Sequence, residues 1–205
     1  HCYRDKDGVK VFLDDYTYLV QLMINFYEIT GEINYLEDAK KIAQQTWDLF
    51  YDKENKILQK NPINQNDLFV PPLDINDGNI PNGNNVFLLN CKKLEAITGD
   101  AKWQAMTKEL IQSFHSFLNL KSSQMTSYIK NLDMCEELIT FTFFGDVKKI
   151  KELQQFVKKN YLKSSTIIYK KDPKENYLVV CKNQTCSNKI KNIEELKPVV
   201  KNYAI

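Results

Sequence analysis

The feature that most constrains the fold is a helical pattern that occurs twice along the chain. Its two copies turn at similar places, Thr30-Gly31-Glu32 and Thr98-Gly99-Asp100. Each turn follows a mostly apolar segment with helical spacing and precedes an amphipathic one. A buried helix, a glycine turn and a half-exposed helix make an αα-hairpin, and such a hairpin cannot bury its apolar face alone. The sequence therefore predicts stacked helical hairpins that need each other to fold.

Apolar spacing sets the bounds of the predicted helices. The first hairpin joins a largely buried helix over residues 12–30 to an amphipathic helix over 34–51. The second joins a buried helix over 86–98 to an amphipathic helix over 103–117, and a third helix of the buried type is expected over 123–138. We therefore predict that residues 1–138 form a domain of αα-hairpins.

The pattern changes beyond this domain, where β-branched and aromatic residues come together. Short strands are predicted over 138–144, 165–169 and 177–181, with a helix over 147–162 between the first two. A strand, a helix and a strand with short joints are typical of a βαβ unit. The expected fold class is mainly α, with a small α/β (βαβ-like) element over 139–205 that ends in a helix.

Composition narrows the classes of partner. The 205 residues carry a net charge of +2, and the lysines are interspersed with acids on helix faces, which argues against a nucleic-acid surface. No apolar run approaches the roughly 20 residues that cross a bilayer, so no membrane partner is expected. The chain begins at His1 rather than at a methionine, and we interpret it as a fragment of a longer protein.

One polar stretch, Asp77 to Asn85, leads directly into the second buried helix. Its two glycines, one proline and four asparagines favour turns, and asparagine is a good helix N-cap. Such a segment leaves backbone N–H groups at the positive end of a helix, where anionic or hydroxyl-rich ligands bind. A simple helix cap after a surface loop is the alternative. The preceding loop, from residue 52, is unusually long, and long loops in compact domains are usually functional.

The repeat predicts which side chains share one end of the domain with this stretch. The inner helices of stacked hairpins run parallel, so the start of the 12–30 helix should lie beside the start of the 86–98 helix. We therefore expect a polar site at this end. Its candidate catalytic residues are Asp14, Asp15 and Asp77, and its candidate ligand-binding residues are Tyr16, Tyr18, Asn82 and Asn84.

These residue types do not specify a reaction. Asp14 and Asp15 are adjacent on a helix and point about 100° apart, so they cannot be the facing acid–base pair of a glycosidase. Asp77 would have to supply one member of such a pair, and both helix acids also suit a helix N-terminus without any catalytic role. With two histidines in the chain, the sequence contains no metal-ligand cluster, and we expect neither a metal nor a cofactor.

The five cysteines do not have the distribution of a disulfide framework, which favours a reducing cytoplasm as the location. Cys91 and Cys135 fall within helical patterns and are predicted to be core residues. Cys181 and Cys186 form a C-x4-C motif at the end of a predicted strand. Three interpretations of this pair stay open: local structural cysteines, a disulfide across a turn, or a redox pair without the usual C-x-x-C spacing.

Three segments together resemble one known family: Phe12 to Tyr18, Asp77 to Asn85 and Val180 to Cys186. In this order and spacing they are similar to the C-terminal region of the spermatogenesis-associated thioredoxin-like proteins. The resemblance covers nearly the whole chain. It implies a partial α/α toroid, similar to the toroids of six-hairpin glycosidases and N-acylglucosamine 2-epimerases, preceded in the complete protein by a thioredoxin-like domain. The family usually has serine at the position of Asn82, and the acid and base histidines of the sugar epimerases have no counterpart in this chain.

The resemblance leads to two functional hypotheses. The first is a carbohydrate-related toroid that binds a sugar-like or other polar small molecule at the N-termini of its inner helices. The second is a non-catalytic scaffold that presents clients to the thioredoxin-like domain of the same protein. An incomplete toroid would also expose an apolar side, so we expect some self-association of the chain.

Overall fold

The computed structural model describes residues 11–63, 75–160, 164–183 and 185–203. The protein is mainly helical and contains one small four-stranded sheet. Contacts group the chain into two compact units, which we describe separately. The first unit comprises His1–Tyr27 and Glu32–Leu132, and the second comprises Glu28–Gly31 and Asp133–Ile205. None of the helices in the described part of the chain is long and apolar enough to cross a membrane.

The N-terminal helices follow the predicted order, with bounds within a few residues of those that the spacing predicts. A short pair of strands, which was not predicted, follows the second helix. The elements are α1 (Leu13–Thr30), α2 (Ile33–Phe50), β1 (Tyr51–Asp52), β2 (Ile57–Leu58), α3 (Gly83–Thr98), α4 (Ala101–Lys121) and α5 (Thr126–Glu136).

Both helical hairpins turn at a glycine with a left-handed backbone, as the repeat predicts. Gly31 has φ of 76° and Gly99 has φ of 70°, a conformation that glycine adopts without the steric penalty of a Cβ. The Gly99 N–H donates to the carbonyl of Glu95 at 2.8 Å, which satisfies one of the last carbonyl groups of α3. Gly99 therefore ends α3 and begins the turn that leads into α4.

α1 and α3 run side by side in the same direction. Gly83, the first residue of α3, lies against Leu13 and Asp14 at the start of α1. Further along, Asn90 donates from Nδ2 to the carbonyl of Thr17 at 2.8 Å. Glycine suits position 83, because a Cβ there would displace the Asp14 carboxylate and lie 3.0 Å from Leu13 Cγ. The two helix starts therefore share one end of the first unit, as the repeat predicts.

The unpredicted β-hairpin lies at the start of the segment that was predicted to be one long loop. β1 and β2 pair antiparallel, and the side chains of Ile57 and Leu58 are completely buried. The Asp52 carboxylate stabilises the turn by accepting a hydrogen bond from the N–H of Glu54 at 2.8 Å. The later part of that loop, residues 64–74, lies outside the described residues.

Large side chains from several elements fill the core of the first unit. Trp103 and Phe114 of α4, Phe87 of α3, Phe50 of α2 and Tyr128 of α5 are all completely buried. Phe114 and Tyr128 also meet with their ring centroids 5.2 Å apart. Burying rings of this size provides a large share of the hydrophobic stabilisation of such a core.

The second unit is built on the four-stranded sheet, whose strands lie in the order β4-β3-β5-β6. β3 and β4 pair parallel, whereas β5 pairs antiparallel with β3 and β6 pairs antiparallel with β5. A helix connects the two parallel strands, so the predicted βαβ unit is confirmed. The elements are β3 (Ile139–Phe144), α6 (Lys151–Lys159), β4 (Ser165–Lys170), β5 (Tyr177–Lys182), β6 (Thr185–Cys186) and α7 (Ile193–Tyr203).

One face of this sheet carries the core of the second unit. Phe141 and Phe143 alternate on β3 toward a cluster that includes Leu153 and Val157 of α6 and Leu196 of α7. Alternation with a period of two places one set of strand side chains on this face and the other set on the opposite face. The two helices therefore cover the apolar side of the sheet.

Candidate functional site

A cleft of about 340 Å³ lies in the first unit where α1 and α3 begin. This is the end of the helices at which the sequence predicts a polar site. The lining combines two carboxylates, one ammonium group, two amides and the residues of a turn: Asp14, Lys60, Asn76, Asp77, Gly78, Ile80, Pro81 and Asn82. Most of these residues belong to the stretch that leads into α3.

Asp77 is held in the lining by four hydrogen bonds. Its Oδ1 accepts from the Asn82 N–H at 3.0 Å, from Asn85 Nδ2 at 3.3 Å and from the Ser127 hydroxyl. Its Oδ2 accepts from the Ser127 N–H at 2.7 Å. Burial acts to raise the pKa of Asp77, but the hydrogen bonds from Ser127, Asn82 and Asn85 together outweigh it and hold the pKa below the ordinary value of 3.8. Asp77 is therefore a carboxylate near neutral pH.

One acceptor atom of the lining, Asp77 Oδ2, keeps capacity for a ligand. Asp77 Oδ2 accepts one hydrogen bond from the described residues, and a carboxylate oxygen has a second lone pair. The amide oxygen of Asn76 is buried and has no hydrogen-bond partner in the described part of the chain. Buried acceptors are normally satisfied by protein, water or a ligand. The Asn76 oxygen has almost no solvent-accessible area, so Asp77 Oδ2 is the acceptor that the cleft offers to a ligand with hydrogen-bond donors.

Asn82 is the N-cap of α3, so the simple helix-cap interpretation of this stretch holds for it. Its backbone is extended, and its side chain accepts a hydrogen bond from the Asn84 N–H at 2.9 Å. Its Nδ2 donates to the carbonyl of Asn76 at 3.3 Å. Through these two bonds Asn82 shapes the turn that forms one wall of the cleft, and it lines the cleft itself.

Asn84 and Asn85 point into the first unit rather than into the cleft lining. Asn84 is 1% exposed, and its side chain accepts from the Leu58 N–H at 2.9 Å and donates to the Leu58 carbonyl at 2.8 Å. Asn85 donates from Nδ2 to Ser127 Oγ at 2.7 Å, and its carbonyl accepts from Asn131 Nδ2 at 2.7 Å. These bonds connect the start of α3 to β2 on one side and to α5 on the other.

Two of the residues predicted on α1 lie at the cleft. Asp14 lines it, with Oδ1 against Gly83. Tyr18 stands behind the turn, and its hydroxyl donates to the carbonyl of Pro81 at 3.0 Å. Burial raises the pKa of Tyr18, and the negative charges of Asp14 and Asp77 raise it further. Tyr18 therefore stays a neutral hydrogen-bond donor near neutral pH and supports the cleft wall.

The other two residues predicted on α1 have local partners instead. Asp15 accepts a hydrogen bond from the Phe12 N–H at 3.1 Å at the start of its own helix. Tyr16 packs edge-on against Phe50, with ring centroids 5.4 Å apart. Neither is among the residues that line the cleft.

Three residues of the site were not predicted from the sequence: Lys60, Asn76 and Ser127. Lys60 reaches the site because its carbonyl accepts a hydrogen bond from the Leu13 N–H at 2.9 Å, which brings the chain beyond β2 against the start of α1. Ser127 reaches it through the four-bond arrangement of Asp77. No local pattern marks Lys60 and Ser127, because each joins the site through a contact that is distant in sequence, whereas Asn76 directly precedes Asp77.

The second unit contains the remaining predicted pair. Cys181 and Cys186 form a disulfide between β5 and β6, with Cα atoms 4.0 Å apart. Of the interpretations that the sequence left open, a disulfide across a turn describes this arrangement, and a redox role for the pair stays a prediction. Across the described ranges, no group of three or more His, Cys, Asp and Glu side chains is placed to hold a metal ion.

Comparison with models of known protein families and with curated proteins finds no match to the chain. The geometry of the cleft therefore carries the functional argument.

Proposed function

We propose that this chain is part of an α/α toroid whose cleft binds a sugar-like or other hydroxyl-rich small molecule. The observation that carries the proposal is the acceptor-rich lining at the start of α1 and α3. Asp14 and Asp77 line one cleft together with Asn76 and Asn82, and Asp77 Oδ2 accepts a single hydrogen bond from the described residues. A ligand with several hydroxyl groups supplies donors to such a set, and hydrogen bonds to ionised acceptors are among the stronger ones in proteins.

The other lining residues suit the oxygen atoms and the apolar faces of such a ligand. Lys60 adds a basic residue to the lining, while Ile80 and Pro81 offer apolar surface. Sites for small molecules commonly combine apolar walls with a few placed polar groups. The volume of about 340 Å³ is at the lower end of the range for such sites and suits a single sugar ring rather than a long chain.

We assign binding rather than catalysis to Asp77. Its low pKa means that it accepts hydrogen bonds near neutral pH but holds no proton to give to a leaving group. Its four hydrogen bonds also fix its orientation, as expected for a group that positions a ligand. Glycoside cleavage would need a proton donor from another residue.

The toroid is part of the same proposal. Its support is that α1, α3 and α5 all begin at the same end of the first unit, where Asp77 is joined to both α3 and α5. Stacked hairpins in a ring have this property, because all inner helices open toward one face. The resemblance of three segments to the spermatogenesis-associated thioredoxin-like family implies the same architecture, with a thioredoxin-like domain of the same protein as partner.

Titration calorimetry with a panel of neutral hexoses, amino sugars and linear polyols tests the binding proposal. We expect at least one member of the panel to bind, and Asp14→Asn to weaken its affinity by about tenfold or more, as for loss of a charged hydrogen bond. Asp15→Asn is the matched control, because Asp15 is the neighbouring acid on α1 and does not line the cleft. No binding across the panel, or equal losses in both variants, would contradict the proposal.

A further inference from the structure

We propose that the Cys181–Cys186 disulfide is a thiol-exchange site, which a dithiol reduces and the corresponding disulfide reoxidises while the chain stays folded. The proposal concerns the second unit and is independent of the function proposed for the cleft. Three observations carry it: where the bridge lies in the sheet, how exposed it is, and how little the local structure depends on it.

The bridge lies at the outer edge of the sheet. β6 is a two-residue strand that pairs with β5, and it is the last strand in the order β4-β3-β5-β6. Cys186 is exposed and Cys181 is half-buried, whereas Cys91 of α3 is completely buried. An incoming thiolate needs access to a sulfur atom, so this pair is open to exchange and Cys91 is not.

The hairpin is closed by contacts that do not involve the sulfur atoms. Lys182 pairs with Thr185 inside the bridge, and the Ser187 N–H donates to the Val180 carbonyl at 2.8 Å beyond it. The turn contains Asn183 with φ of 49°, a conformation that asparagine tolerates better than most residues. The hairpin therefore has the means to stay paired after the bridge is reduced.

The bridge also adds little constraint of its own. It joins residues separated by five positions, and the chain entropy that a crosslink removes from the unfolded state is smallest for short loops. The neighbouring Val180 belongs to the hydrophobic cluster of this unit, but neither cysteine does. We therefore expect the oxidised and reduced forms to have nearly the same fold, which is the condition for exchange in the native state.

The chemistry follows the usual course of thiol–disulfide exchange. One thiolate of the dithiol attacks Cys186 Sγ, the Sγ–Sγ bond breaks, and Cys181 leaves as a thiolate that takes a proton from water. The remaining thiolate of the dithiol then attacks the dithiol sulfur that is bonded to Cys186 Sγ. Cys186 leaves as a thiolate and also takes a proton from water. The cysteine pair has gained two electrons and two protons, and the dithiol has become a disulfide.

The test is native-state reduction with dithiothreitol, followed by an acid quench, alkylation with N-ethylmaleimide and mass spectrometry of the peptides. We expect Cys181 and Cys186 to be labelled in folded protein at a rate within about tenfold of the rate in denaturant. Cys91 should be labelled in denaturant alone, and the circular dichroism should not change on reduction. Labelling of the pair solely in denaturant, or thiols that do not reoxidise with excess oxidised dithiothreitol, would overturn the proposal.

Variants that replace one cysteine of the pair test which sulfur is attacked. In Cys181→Ser the exposed Cys186 has no resolving partner, so incubation with oxidised glutathione should trap a mixed disulfide on it. In Cys186→Ser the half-buried Cys181 should react about fivefold more slowly or worse, because access limits the attack. Faster reaction in Cys186→Ser would overturn the assignment of Cys186 as the attacked atom. Both variants keep the core cluster of the sheet intact, so a folded protein is expected in each case.

Discussion

Asp77 is a single side chain that joins two helix starts to the wall of the cleft. It accepts hydrogen bonds from Asn82 and Asn85 at the start of α3 and from Ser127 at the start of α5. The sequence predicted Asp77 as a candidate catalytic residue. Its hydrogen bonds fix its orientation, which the sequence could not reveal because Ser127 lies 50 positions away.

Asp77→Ala should destabilise the protein by about 2–4 kcal/mol, because it leaves several donors unpaired at two helix starts. The free energy of unfolding in urea is the measurement. Asp38→Ala is the control, since Asp38 is exposed on α2, and it should change stability by about 0.5 kcal/mol at most. Similar losses in the two variants would show that the Asp77 bonds do not carry this stability.

The low pKa of Asp77 predicts how stability depends on pH. Because its folded-state pKa lies below 3.8, the unfolded state binds more protons as the pH falls through this value, and its stabilisation is lost on acidification. The contribution is fully present above about pH 5 and declines through the range below it. Asp52 also has a lowered pKa, from hydrogen bonds that outweigh its burial, and acts with the same sign.

The comparison that isolates Asp77 is therefore wild type against Asp77→Asn, in which Asp52 is unchanged. We expect the difference in unfolding free energy to be constant from pH 7 to about pH 5 and to shrink toward pH 3. Urea unfolding at each pH measures it. A difference that does not vary with pH would contradict the account of Asp77.

The close approach at Gly83 leads to a further prediction at the scale of a residue. Gly83→Ala places a methyl group against the Asp14 carboxylate and Leu13, so it should destabilise the protein by about 1–3 kcal/mol and displace Asp14 from the cleft. Gly78→Ala is a matched control in the same cleft, because nothing lies within 4 Å of its added Cβ. Thermal unfolding of both variants gives the comparison, and equal stability would rule out the close approach of α1 and α3.

At the scale of elements, the start of α3 organises the first unit. Asn84 connects it to β2, Asn85 connects it to α5, and Gly83 allows α1 to approach. Each of these residues is in the polar stretch that the sequence identified as unusual. The stretch is both a helix cap and a set of connections between elements, and the cleft is formed beside those connections.

Asn84→Ala should cost about 2–3 kcal/mol, because the N–H and the carbonyl of Leu58 both lose a buried partner. Hydrogen exchange should show faster opening of β1 and β2 in this variant, with less change in α4. Asn25→Ala on the exposed side of α1 is the control, and it should leave both stability and exchange nearly unchanged. Unchanged protection of β2 in Asn84→Ala would contradict the connecting role.

The elements also show how far sequence reasoning extends. Apolar spacing predicted the five N-terminal helices, and runs of β-branched and aromatic residues predicted the βαβ unit, because both are local signals. The β1–β2 hairpin was missed, since two-residue strands leave no periodicity to detect. Asp14 and Asp77 were predicted for the site, whereas Lys60 and Ser127 enter it through contacts between elements.

At the scale of the whole molecule, the described helices and the small sheet define a mainly α protein with a polar cleft at one end of its helical unit. The sequence predicted that a site lies at the helix starts because parallel inner helices open in one direction. It could not predict the chemistry of the cleft, which depends on which acceptors stay unpaired after folding. Asp77 is the example, because the fold, and not its residue type, leaves its Oδ2 with one hydrogen bond from the described residues.

The most direct test of the central claim is to map the bound ligand on the chain. Backbone amide shifts of ¹⁵N-labelled protein should be recorded during titration with the sugar or polyol that binds best in the calorimetric panel. The account predicts that the largest shifts fall on Asn76, Gly78 and Asn82, and that Asp14→Asn reduces them at equal ligand concentration. Largest shifts on strands β3 to β6, or no saturable shifts at the cleft, would contradict the claim that this cleft binds a hydroxyl-rich ligand.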